Sequence, residues 1–128
     1  MTRSELLTLA AAVETDGVAA HNEAVAVAFG YVFCELWAPP GETDASKWTA
    51  DPPDFSNLAV AADHTPKGWH HCGGYFDFRK TNQHHWIIGN PDRLEADGYP
   101  IARHSIAPDE ASARNAASLR ALAEDADG

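Results

Sequence analysis

Hydrophobic positions change period several times along this chain, and each change marks an element. Leu6, Leu9 and Val13 recur at helical spacing with Ala10 beside them, which predicts a helix over 4–14. Ser4 is its expected N-cap and Gly17 its stop. An Ala- and Val-rich segment predicts a second helix over 18–29, with Val25 and Phe29 on the stripe of His21 and Gly30 at its end. Tyr31, Phe33, Glu35 and Trp37 then alternate with Val32, Cys34 and Leu36. The second set is uniformly apolar, so 31–37 reads as a strand that turns Val32, Cys34 and Leu36 to the core. Periodicity disappears over 38–57, where two Pro-Pro pairs and Gly41 exclude a continuous helix or a central strand. Trp48 lies inside this Pro-rich loop and must either pack back or meet a partner. Ser56 or Asn57 then caps a short helix over 58–63.

The stretch WHHCGGYFDFRKTNQHHWIIGN, 69–90, reads as a β-hairpin turning at Thr81-Asn82-Gln83. Pairing Lys80 with His84 sets Phe78 opposite Trp86 and Phe76 opposite Ile88, which gathers one apolar face. The other face then carries Tyr75, Asp77, Arg79, His85 and Ile87, with His71 alongside; Gly73-Gly74 marks a bulge. A further strand over 99–106 follows, its start demoted to an edge by Pro100. Pro108, Asp109 and Glu110 open a last helix with Ala113, Ala116, Ala117, Arg120 and Ala121 on its stripe. This order predicts a single α+β domain over 1–128. A three- or four-stranded, mostly antiparallel sheet carries the helices in an alpha-beta-alpha sandwich-like arrangement.

Charge refines that picture. Of the net −10, the part before Pro66 holds ten acidic residues against Arg3 and Lys47, or −8, whereas nine acids meet seven bases beyond it, or −2. So acidic a surface repels nucleic acid, and no direct nucleic-acid binding is expected. No apolar run is long enough to span a membrane, and the start lacks the pattern of a signal peptide, so a cytoplasmic protein is expected. Cys34 and Cys72 form no CxxC pair, and Cys34 is expected as a small buried hydrophobe.

Three passages carry a family likeness: ELLTLAAAVETDG with EAVAVAFGYVF, PPDFSNLAVAADHTPKGW, and ARHSIAPDEASARNAASLRALAED. They resemble the opening helices, the capped short helix and the closing helix of the phage alpha-beta-alpha sandwich domain, a group of small phage and prophage accessory proteins. Where that pattern usually has Tyr-Thr and an Asp, this chain has Asp54-Phe55-Ser56-Asn57, and the His-rich hairpin is its own. The resemblance implies an accessory protein of the host-cell cytoplasm that acts by binding, including against host defence. It implies no catalytic residues.

The chemistry of single residues favours binding over catalysis. There is no GxSxG, Walker-type or GxGxxG motif, and no HExxH or HxE…CxxC spacing. Adjacent histidines on a strand point to opposite faces, so neither His70-His71 nor His84-His85 gives two ligands to one ion; no metal, cofactor or catalytic residue is assigned. Arg79, Lys80, Arg93 and Arg103 offer cations for anionic groups. The expected ligand site is Trp48, Trp69, His71, Tyr75, Asp77, Arg79 and His85, holding a small anionic, nucleotide-like molecule. An alternative is an acidic inhibitor of a basic host nuclease such as a CRISPR nuclease, and a second is a small metal-dependent hydrolase. A homo-oligomer is left open.

Overall fold

Thr2, rather than Ser4, opens the first helix of the computed structural model, which describes residues 1–126. The reason is reciprocal: Thr2 Oγ1 accepts from the Glu5 N–H at 3.1 Å, and Glu5 Oε1 accepts from the Thr2 N–H at 3.2 Å. Helix α1 (Arg3–Asp16) buries Leu6, Leu9, Ala10 and Val13 and stops at Gly17, whose φ of 89° a side chain would resist. The segment 18–29 divides into one 3-10 turn, Val18–His21, and helix α2 (Asn22–Ala28).

The expected strand over 31–37 is instead a miniature hairpin. Strands β1 (Val32–Cys34) and β2 (Leu36–Ala38) pair antiparallel around Glu35 alone, at φ 69°. The fold-back ends the alternation, so Val32, Cys34 and Leu36 are exposed, while Trp37 and Ala38 are buried. Cys34 is thus no core residue. The Pro-rich loop is tied to this hairpin by paired backbone bonds between Trp37 and Thr49, at 2.7 and 3.0 Å. Its far end is anchored by Phe55, fully buried. Asn22 Oδ1 accepts the Phe55 N–H, Asn22 Nδ2 donates to the Pro53 carbonyl, and Asn115 Nδ2 donates to the Phe55 carbonyl, each at 2.8 Å. Asn57 then caps α3 (Leu58–Asp63) through the Ala59 and Val60 N–H groups.

Among the described residues, the main sheet has three antiparallel strands in the order β3 (His70–Asp77), β4 (Gln83–Leu94), β5 (Pro100–Ala107). The β3–β4 turn is longer than Thr81-Asn82-Gln83: Asp77 pairs with Gln83, Phe76 with His84 and Tyr75 with His85. Asp77 makes the longer turn, because its Oδ1 accepts from the N–H groups of both Arg79 and Lys80. From Gly73 to Asp77 the slip from the expected register is even, so each side chain there keeps its face. It nevertheless moves Phe76 and Phe78 past the end of the core, where they are 43% and 70% exposed.

Helix α4 (Glu110–Asp125) is the middle layer. Ala113, Ala117 and Ala121 meet Trp69, Trp86, Ile88 and Ile101 of the sheet side. Ala111, Ala116, Leu119 and Ala123 meet α1, Phe55 and Trp37 on the other. A helix between two layers has little use for a polar face, and alanine lets both layers come close. The α+β class is as the pattern predicts, with α4 packed on β4 and β5 and α1 packed on α4.

Candidate functional site

The helical layers cover one face of the three-stranded sheet. On that side lie Trp86 and Ile88 of β4; His85 and Ile87, alternating with them, point to the other. Tyr75 of β3 stands opposite His85 and stacks on it, with ring centroids 4.7 Å apart and planes 11° apart. His104 of β5 is diagonal to His85, its ring 5.2 Å away at 29°. His85 Nδ1 lies 3.2 Å from His104 Nε2, and His85 Nε2 lies 3.0 Å from Thr81 Oγ1. Asp77 Oδ2 is 3.8 Å from that same Nε2. Roofed in this way His85 is buried, whereas Tyr75 is 59% exposed and Ile87 38%. Desolvation first, and then the neighbouring His85, hold the His104 imidazole below its ordinary value; Glu14 pulls the other way.

Of the expected site residues, this face gathers Tyr75, Asp77 and His85. Arg79 sits in the turn with its guanidinium 5.6 Å over the Phe78 ring. His71 is on the other face: the register shift between His71 and Gly73 inserts a residue, and a single insertion reverses the direction of every side chain before it. There His71 Nδ1 accepts from the Trp86 indole. Trp69 is a core residue, 2% exposed, whose indole donates to Asp125 Oδ2 at 3.0 Å. Trp48 is half-buried within its own loop and donates to the Glu42 carbonyl at 3.2 Å. A cage of all seven residues is therefore not assembled. His104 and Thr81 were missed. His104 alternates with Arg103 and Ser105 along YPIARHSI and so shares a face with Ile106, and that alternation is the signal that places it beside His85 once the strand order is known.

Ion pairing removes two of the four expected cations, Arg93 and Arg103. Arg93 pairs with Asp125, Arg103 with Glu95 and Glu124, Arg114 with Glu110 and Arg120 with Glu14. Arg79 and Lys80, at the hairpin tip, have no carboxylate partner among the described residues. Two concave regions lie elsewhere. One, of about 640 Å³, is lined by His21, Glu23, Asp51 and Asp54; the other, about 480 Å³, runs along Arg3, Leu7 and Ala11. Among the described residues no three His, Cys, Asp or Glu side chains converge as a ligand set, and no helix is long and apolar enough to cross a membrane. No protein-family model matches the chain, and neither a curated protein nor a solved structure matches it.

Proposed function

We propose that this chain is a non-catalytic binding protein that docks a basic protein partner through the uncovered sheet face and the β3–β4 tip. One observation carries the reading: Tyr75 on the uncovered face, and Phe76 and Phe78 at the β3–β4 tip with Arg79 over Phe78, are large aromatic side chains left 59%, 43% and 70% exposed. Aromatic residues and arginine are what protein interfaces enrich, and an exposed apolar patch carries a cost that docking recovers. The net charge of −10 draws a cationic partner toward the whole protein at long range, while Arg79 and Lys80 make the tip itself locally basic. The phage context, and with it inhibition of a host defence nuclease, enters from the family resemblance of the sequence alone.

Small ligands normally bury 70–90% of their surface in a pocket, and the described concavities lie away from Tyr75. That favours a broad partner. The nucleotide-like ligand is a second reading, supported by the exposed Tyr75 ring, whose other side stacks on His85, and by Arg79, which has no carboxylate partner among the described residues. The test is titration into a panel of basic nucleases, RNA-guided ones included, with cleavage as readout. The double variant Tyr75→Ser/Phe78→Ser should lose inhibition while keeping its fold. If it inhibits as wild type does, or wild type inhibits none, the docking reading falls. Calorimetry with mono-, di- and cyclic nucleotides on wild type and Arg79→Ala decides the second reading.

A further inference from the structure

The facing nitrogens of His85 and His104, 3.2 Å apart, have a spacing that suits more than a hydrogen bond. Two imidazoles bound at about 2.0–2.1 Å to one tetrahedral ion hold their donor nitrogens roughly 3.3 Å apart. We propose that His85 Nδ1 and His104 Nε2 chelate a divalent late transition ion, of the class Zn²⁺, Ni²⁺ or Cu²⁺, with water in the remaining positions. This site is separate from the docking reading and does not depend on it.

The surroundings of His85 are those of a ligand. Its far nitrogen, Nε2, is held by Thr81 Oγ1 at 3.0 Å with the Asp77 carboxylate 3.8 Å away. A proton kept on Nε2 by these two oxygens leaves the Nδ1 lone pair facing His104. Hydroxyl or carboxylate support of the far nitrogen is the usual outer shell of a metal-binding histidine. Stacked by Tyr75 and only 7% exposed, the His85 ring is already immobile, so binding costs it little further entropy. His104 is exposed and gives an ion access from water.

Neighbouring strands set the pair. His85 pairs with Ile106 and Ile87 with His104, so the two histidines occupy diagonal positions on one face of a hydrogen-bonded ladder. Backbone, rather than loop, fixes their separation. The donor set also selects the ion. Two neutral imidazoles without thiolate or clustered carboxylates suit Ni²⁺, Cu²⁺ and Zn²⁺ over Mg²⁺ or Ca²⁺. Glu14, the carboxylate that acts on His104, is already committed to Arg120 and to the Ile106 N–H.

The chain has seven histidines, so the experiment must separate this pair from the rest. Tag-free protein is titrated calorimetrically with NiCl₂ and with ZnCl₂ at one fixed pH, and imidazole nitrogen shifts are followed by NMR. One equivalent should bind with a Kd below about 100 μM, roughly 5.5 kcal/mol. The shifts should fall on His85 and His104. His104→Gln, an exposed change, should weaken binding at least tenfold, whereas His70→Gln and His84→Gln should leave it unchanged; circular dichroism checks each fold. Binding no tighter than about 1 mM, equal binding by His104→Gln, or shifts on His70 or His84 instead would each overturn the assignment.

Discussion

The Trp86 indole N–H donates to Nδ1 of His71 at 2.7 Å, from one strand of the hairpin to the other. An indole nitrogen only donates, so Nδ1 must be unprotonated and the proton of a neutral His71 sits on Nε2, buried without a partner. Desolvation, and then the Arg114 charge from α4, hold His71 below its ordinary value. The unfolded chain binds this proton near pH 6.5, the folded chain only at lower pH. Stability from His71 is therefore complete above about pH 6.5 and is lost as pH falls from there through the lower folded value. Urea titrations from pH 7.5 to 5.5 should give a shallower fall for His71→Gln, which keeps an acceptor for the indole, than for wild type. Equal slopes would place the pH dependence elsewhere.

Phe78 is 70% exposed, so Phe78→Ala should change stability by no more than about 0.5 kcal/mol. Trp86→Ala, at 8% exposure and under the Arg114 guanidinium, should cost about 3–5 kcal/mol. Denaturant midpoints of the two variants, at unchanged m, check the pair. The register that pairs Phe78 with Trp86 requires both losses to be large.

Gly74 faces Trp86 across the hairpin, and a Cβ there would overlap the His85 carbonyl oxygen and the Trp86 ring. Backbone cannot yield as a long side chain can. Gly74→Ala should cost more than about 2 kcal/mol by forcing the two strands apart. Gly73→Ala meets no neighbour but sits at φ 123°, so it tests backbone strain alone. Thermal melts of both should rank Gly74→Ala as the larger loss.

Asn115 is 1% exposed and its Nδ2 donates to the carbonyls of both Phe55 and Ala111. Asn115→Ala leaves the Phe55 carbonyl without that donor, at about 1–3 kcal/mol. Asn22→Ala also frees both ends of the clamp on Pro53 and Phe55, and should loosen the Pro-rich loop. Hydrogen exchange of the Phe55 amide should speed up in Asn22→Ala; unchanged protection would mean that Phe55 packing alone seats the loop.

The local elements follow from local signals. Helical spacing of Leu6, Leu9 and Val13, the stops at Gly17 and Gly30 and the Asn57 cap stand where periodicity and backbone chemistry put them, whereas the bulge expected at Gly73-Gly74 falls one residue earlier, at Cys72, and both glycines pair with β4. The Tyr75, Asp77 and His85 face is legible too, because alternation survives an even slip of register. What depends on partners distant in sequence is not. Glu35 folds a pattern of seven alternating residues into a tight hairpin, since burial of Trp37 against the helical layer outweighs the alternation. One inserted residue moves His71 to the Trp86 side. The alanines of α4 look weakly amphipathic because they serve two layers at once, and only packing reveals both. His104 meets His85 for the same reason: strand order is a property of the assembled sheet, and sequence alternation assigns a face but never a neighbour.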